Sequence, residues 1–275
     1  MRPRLAASVQ GLRHIGQGIR AVGDLPAVLL IGAQKAGTTS LFNAIAAHPA
    51  ITAAQRKELH FFDENWQRGR TWYRRGFVSN PTGLNLEATP AYLFHPHAAA
   101  RAAVTVPDAR LIVVLRDPVR RALSQHRYET RRGYETLSFE DAIAAEPDRT
   151  NDDWLQAQID PGHWPSALKR HSYLRRGHYA RQLARWRAHF PANRMLVIED
   201  RELHADAAAT MDRVFGFLDL DPVSVPFGRA NATGRGVALG PTDIAPKLEQ
   251  TLRARFAEDG AELRATYGDR FSWLH

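Results

Sequence analysis

Residues 27–41, AVLLIGAQKAGTTSL, constrain the fold more than any other stretch of the chain. The apolar run from Val28 to Ile31, bounded by Pro26 and Gly32, predicts a buried strand. Gly32, Lys35, Gly37, Thr38 and Thr39 follow, and Leu41, Phe42 and Ile45 then recur at the spacing of one helical face. Strand, glycine turn and helix start together aim free backbone N–H groups and the positive end of a helix dipole at an anion. Lys35 adds a mobile positive charge, and Thr38 and Thr39 can cap the helix and donate from their hydroxyls. The stretch reads as a phosphate cradle. The plainer alternative is a glycine turn that joins strand to helix and needs no ligand.

The cradle differs from an ordinary nucleoside-triphosphate loop, which sets lysine directly after its second glycine. Here Lys35 precedes Gly37 by two residues and Thr38 follows that glycine directly. A length of 275 residues suffices for one large α/β domain or two small ones, and the 44% hydrophobic and 24% charged content is that of a globular chain. Cysteine is absent, which excludes disulfides, thiolate metal sites and a cysteine nucleophile and fits a reducing, cytoplasmic setting. The formal charge of +8 favours anionic ligands. No apolar stretch reaches the length of a membrane span. Residues 1–25 form a basic, weakly amphipathic segment without the apolar core of a signal peptide, and contact with a membrane surface is its minor option. Residues 26–275 are expected to form a single domain.

Along the chain, Arg56-Lys57-Glu58-Leu59-His60-Phe61-Phe62-Asp63 runs charges into aromatics. One reading is a strand end with Leu59 and Phe61 buried; the other is an acid/base group of carboxylate and imidazole beside cations. The alternation from Leu84 to Tyr92 predicts a strand on which Glu87 is a capping or solvated acid. A second buried strand, Leu111 to Leu115, ends in Arg116-Asp117-Pro118, a well-formed helix start. An arginine at a strand's C-terminal end, with Ser124 two helical turns along, can grip a phosphate; an ion pair is the alternative for Arg116. Ser138 predicts the cap of a helix over 137–145. Residues 146–172 are polar and proline-punctuated and read as a substrate-facing loop or lid. A long helix is expected over 173–190, a third buried strand over 194–198, a helix over 205–220 and a terminal helix from Lys247 into an aromatic-ended tail. Residues 231–240, glycine-rich around Arg235, fit either closure over a ligand or a plain connection. No metal-ligand spacing appears among the scattered histidines.

These motifs, in this order, resemble sulfotransferases that use 3′-phosphoadenosine 5′-phosphosulfate (PAPS). Ile31 to Ser40 is similar to the family's 5′-phosphosulfate loop, and Arg116 through Ser124 to its 3′-phosphate element. Lys57 to Asp63 and Glu87 to Tyr92 resemble the branch with heparan sulfate N- and O-sulfotransferases and bacterial relatives. The likeness runs from about Ala27 to Trp273. It implies an α/β fold, a P-loop-like three-layer sandwich whose central, mainly parallel sheet is flanked by helices. It also implies that Lys35 contacts the phosphosulfate and the departing oxygen, and that Ala36, Gly37, Thr38, Thr39 and Ser40 hold the 5′-phosphate. Arg116 and Ser124 would bind the 3′-phosphate, and Gly234 and Arg235 would form the C-terminal cofactor loop, although the flanking cysteines of the heparan enzymes are missing. For the general base, Glu58 with His60 and Asp63 matches the O-sulfotransferase relatives and Glu87 the N-sulfotransferase type; Glu58 is preferred. Where some relatives carry a histidine four residues past the serine, this chain has Tyr128, with His126 nearby.

The resemblance implies transfer to an acceptor hydroxyl, of a saccharide or another small molecule, without metal or nucleic acid. Two alternatives remain at this point. A nucleotide kinase would want a lysine after the glycine and a magnesium-binding acid. A polyanion-binding module would want basic and aromatic residues interleaved along one face, as only residues 68–75 offer.

Overall fold

The computed structural model describes residues 22–228 and 244–274. Strand β1 (Val28–Gly32) enters helix α1 (Thr38–Ala46) through the glycine turn, and β2 (Ile51–Ala53) follows. The short α2 (Gly69–Arg74) precedes β3 (Leu84–Ala88), and α3 (Ala98–Thr105) leads to β4 (Arg110–Leu115) and α4 (Pro118–Arg131). Helices α5 (Phe139–Ala144), α6 (Glu146–Ile159), α7 (Ser166–His171) and α8 (Tyr179–Arg187) separate these from β5 (Met195–Glu199). Helices α9 (Asp200–Ala205), α10 (Ala207–Phe217), α11 (Pro246–Arg255) and α12 (Ala257–Tyr267) complete the described chain.

The five strands form one parallel sheet in the order β2-β3-β1-β4-β5. From β1 the chain moves toward one edge, and from β4 toward the other. Right-handed crossovers therefore place α1 and α8 on opposite faces. In agreement, α1 packs on α10, whereas α8 packs on α3 and α12. The direction of winding reverses between β1 and β4, and ligands of such sheets bind there, outside the C-terminal strand ends.

Central strands covered on both faces read as unbroken apolar runs. Val28 to Ile31 and Leu111 to Leu115 are accordingly at most 1% exposed. Each such side chain contributes about 2 kcal/mol through burial. β3 departs from the pattern, because Asn85 and Glu87 are buried within it. Asn85 Nδ2 donates to the carbonyls of Asp24 (2.9 Å) and Val78 (3.0 Å), which pins the start of the described chain to the sheet.

Several expectations are corrected. The expected loop or lid over 146–172 is largely helical, as α6 and α7. The first of its prolines, Pro147, lies in the first turn of α6, where a missing N–H costs nothing, beside Glu146 and Asp148, which suit the helix dipole. Its polar composition is that of an outward face, since only Glu146, Thr150 and Ala157 of α6 are buried. The helix expected over 173–190 is shorter, because Gly177 packs so closely that a Cβ there would lie 2.7 Å from the Phe256 ring and 3.0 Å from Pro118. The terminal helix is two helices, broken at Phe256, whose ring packs against His178. Neither Thr38 nor Thr39 caps α1; Gly37 holds the N-cap, with no side-chain bond.

Candidate functional site

Two glycines shape the turn between β1 and α1, the predicted phosphate cradle. A Cβ on Gly32 would lie 2.6 Å from that of Leu93, so only glycine lets the strand end pass. Gly37 has φ 88°, and open space surrounds it. The first turn of α1 carries neither a side-chain cap nor an acid, so no side-chain charge of its own offsets the positive end of the helix dipole. Lys35 has φ 73°, a left-handed conformation that costs about 1–2 kcal/mol for a residue with a Cβ. Its ammonium lies 4.1 Å from the centroid of the Tyr128 ring. Burial, then repulsion from Arg131, Arg116 and Arg121 against the pull of Glu129, lowers its pKa to about 8.

The strand-end arginine meets this loop. Arg116 Nη1 donates to the Lys35 carbonyl at 3.3 Å, so the two predicted phosphate elements share one edge of the sheet. Arg116 Nε also lies 3.4 Å from Asp200 Oδ2, the ion pair that the plainer reading anticipated, though with a distant acid. Burial pushes Asp200 up to about 6 against that pairing. Asp117 caps α4 by accepting from the N–H groups of Val119 (2.9 Å) and Arg120 (3.2 Å). Ser124 stands on the same helix, half-buried. Ala36 and Thr38 are buried, whereas Thr39 and Ser40 are half-buried. Gly234 and Arg235 lie outside the described residues.

The segment from Lys57 to Asp63 is tied to the end of β3, since Glu58 N–H donates to the Ala88 carbonyl (3.2 Å) and His60 N–H to Thr89 Oγ1 (3.3 Å). Glu58 and His60 both have positive φ, 62° and 52°. Backbone strain of this kind gathers where a fold must aim particular side chains. His60 lies between two carboxylates, its Nε2 3.3 Å from Glu58 Oε2 and its Nδ1 2.8 Å from Asp63 Oδ2. Lys57 Nζ is 3.0 Å from Glu58 Oε1. Burial opposes charge on Glu58, but the hydrogen bonds and charges of His60 and Lys57 outweigh it and hold the carboxyl at about 2. Burial likewise opposes charge on His60, yet Asp63 and Glu58 lift it to about 10. The Glu58 side chain is 40% exposed and so open to an incoming hydroxyl.

Glu87 is neither a cap nor solvated: it is fully buried. It accepts hydrogen bonds from Thr89 Oγ1 (2.6 Å), Tyr92 Oη (2.8 Å) and Tyr73 Oη. Burial raises it to about 7 despite these donors. Tyr92 Oη in turn accepts from the Phe61 N–H at 2.7 Å, so Glu87 organises the segment that carries Glu58. Glu87→Ala strands three hydroxyls and is expected to cost about 3–5 kcal/mol. A thermal melt should show it as a fall of roughly 10 °C. A carboxyl raised in the folded state stabilises below its unfolded value near 4.5, and that contribution fades as pH rises through 7. Glu87→Gln should therefore flatten the decline of melting temperature between pH 5 and 8.

His126 Nε2 pairs with the Leu137 carbonyl at 2.9 Å. Tyr128, left without a role by sequence, forms the surface on which Lys35 rests. Its signal was its place four residues after Ser124, hence on the same face of α4. Asp200 carried no comparable local signal. Among the described residues His60, Asp63 and Glu64 bring possible metal-ligand atoms within 4.8 Å of one another. These atoms are already engaged, with Asp63 on His60 and Glu64 on Lys169 at 3.1 Å.

Residues 25–225 match the family of sulfotransferase domains. Human (Homo sapiens) heparan sulfate glucosamine 3-O-sulfotransferase 3B1 is 33% identical over 203 residues, which cover 72% of this chain and 47% of that protein. Mouse (Mus musculus) bifunctional heparan sulfate N-deacetylase/N-sulfotransferase 4 is 34% identical over 211 residues, 72% of this chain and 23% of that protein. The chain thus spans about half or less of these relatives. The crystal structure of a sulfotransferase from Alicyclobacillus acidocaldarius superimposes with a TM-score of 0.74 at 29% identity, covering 92% of this chain and 100% of that one.

Proposed function

The chain belongs to the family of sulfotransferase domains, and on that premise we propose that it moves a sulfuryl group from PAPS to an acceptor hydroxyl of a saccharide. The observation that carries this reading is the meeting of Arg116 with the Lys35 loop at the edge where winding reverses. An uncapped helix start, open space at Gly37 and two convergent cations fit a nucleotide with phosphates at both its 3′ and 5′ positions. When bound, that donor supplies an activated sulfuryl group for in-line displacement by the acceptor.

Lys35 stabilises negative charge at the departing phosphate oxygen, while the backbone of residues 36–40 and the hydroxyls of Thr38, Thr39 and Ser40 hold the 5′-phosphate. Arg116 turns from Asp200 to the 3′-phosphate, with Ser124 beside it. Glu58 takes the acceptor proton, and His60, fixed by Asp63, orients the carboxylate. Glu87 acts one step back, by fixing the backbone around Phe61. Gly234 and Arg235 are assigned to the donor by family resemblance alone. Residues 26–275 form the transferase unit in this reading. The names of the heparan sulfate relatives support a saccharide acceptor. The cysteine-free composition supports a reducing, cytoplasmic setting; no helix among the described residues is long and apolar enough to cross a membrane.

Purified protein is expected to melt several degrees higher with adenosine 3′,5′-bisphosphate and to move labelled sulfate from PAPS onto a polysaccharide pool. A melting shift with ATP and magnesium, and none with the bisphosphate, would overturn the reading in favour of a kinase.

A further inference from the structure

A second charged cavity lies where α6, α8 and α11 approach one another, about 370 Å³ in volume and lined by Arg175, His178, Arg181 and Arg255 beside Glu146 and Asn151. None of the residues assigned above to donor or acceptor lines it. Its positive charge is only partly balanced: Glu146 lines the cavity, and Asp259 lies 4.0 Å from His178 Nδ1. Both oxygens of Glu146 are taken by backbone N–H groups, of Leu174 at 2.6 Å and Arg175 at 2.9 Å, and that side chain is 5% exposed. Arg175 donates to a neutral partner, Asn151 Oδ1, and its buried Nε has none. Arg181 and Arg255 form no hydrogen bond or ion pair among the described residues, although Asp259 lies within charge range of Arg181. Burial, followed by the charges of Arg181 and Arg175, holds His178 down at about 4. Three guanidinium forks from three elements line one concavity, and among the described residues none of them is hydrogen-bonded or ion-paired to a carboxylate, an arrangement that suits a tetrahedral oxoanion.

We propose that this cavity is a second anion site, which takes a sulfate or phosphate group. Such a group could arrive as the free ion or as a sulfate ester on a carbohydrate. The shared chemistry is a tetrahedral oxoanion received by Arg175, Arg181 and Arg255, with Asn151 holding the first of these in place. The site stands apart from the donor reading and does not depend on it.

The test compares melting temperatures in sodium sulfate and in sodium chloride of equal ionic strength, with glucosamine 6-sulfate as a third arm. Four proteins are needed: wild type, Arg116→Ala, Arg181→Ala and Arg255→Ala. Wild type and Arg116→Ala should gain about 3–5 °C near tenfold saturation, and the other two should lose most of that gain. A gain from the ester but not from the free ion also supports the site and identifies a carbohydrate sulfate as its ligand. Arg181 and Arg255 are exposed and lie on different helices, so one variant stands in should the other fail to fold. Equal gains in all four proteins would mean only the general salting-out action of sulfate and would refute the site. Loss in Arg116→Ala alone would place the anion at the donor loop and refute it equally. Titration of the same variants with adenosine 3′,5′-bisphosphate reads the donor site separately.

Discussion

Lys35→Ala is expected to lower kcat by a factor of about 10²–10³, or about 3–4 kcal/mol, while the melting temperature changes little. Lys35 stands in a strained turn, over Tyr128 and beside Arg116, and among the described residues it forms no ion pair with a carboxylate. A cation held that way is set for charge that develops during reaction, which is why its loss should register in kcat more than in binding. The same crowding has a pH signature. Lys35 is charged below its pKa of about 8 and neutral above it, so kcat/KM should fall as pH rises past 8. Once the donor's negative charge is bound, the ammonium is favoured, and the corresponding limb of kcat should move to higher pH. Flat kcat/KM from pH 7 to 10 would remove Lys35 from this role.

Glu58→Gln is expected to cost 10²–10⁴ in kcat, the usual range for a positioned general base. Glu58 is held ionised at about 2 by His60 and Lys57, so it is ready to accept a proton throughout the working range. Activity should therefore show no acid limb from this carboxylate between pH 5 and 8. Glu87, raised to about 7, would impose one if it were the base. The two assignments thus differ in the shape of the pH profile as well as in mutant rates. Full turnover in Glu58→Gln, or an acid limb near pH 7 that vanishes in Glu87→Gln, would transfer the role to Glu87. Its burial and its three hydroxyl donors speak for support instead.

The sheet was legible because its central strands are apolar on both faces: Val28 to Ile31 and Leu111 to Leu115 can only be buried. The helix starts at Pro118 and Ser138 were legible because cap chemistry is local, and Asp117 and Ser138 accept from their own first turns. Glu87 misled because a lone acid on a short strand is ordinarily solvated. Its three partners lie at Tyr73, Thr89 and Tyr92, and only the folded chain brings the first of these to it. Helix α6 misled because its polar outward face and its proline look like a loop until the proline's first-turn place is known. The Arg116–Asp200 pair spans β4 and α9, and the Lys35–Tyr128 contact joins the glycine turn to α4. Contacts of this kind follow from strand order, which no local spacing encodes. The motif around Lys57 to Asp63 set carboxylates and an imidazole close together in sequence, but the placement of His60 between Glu58 and Asp63 depends on two positive φ angles.

The central claim is that the glycine loop and the strand-end arginine grip opposite ends of one nucleotide. Calorimetric titration of adenosine 3′,5′-bisphosphate and of adenosine 5′-monophosphate into wild type and Arg116→Ala tests it directly. Wild type should prefer the bisphosphate by about 10- to 100-fold, as a charge-assisted contact warrants, and Arg116→Ala should bind both alike. Equal affinity of wild type for the two nucleotides, or a preference that survives the loss of Arg116, would contradict the assignment.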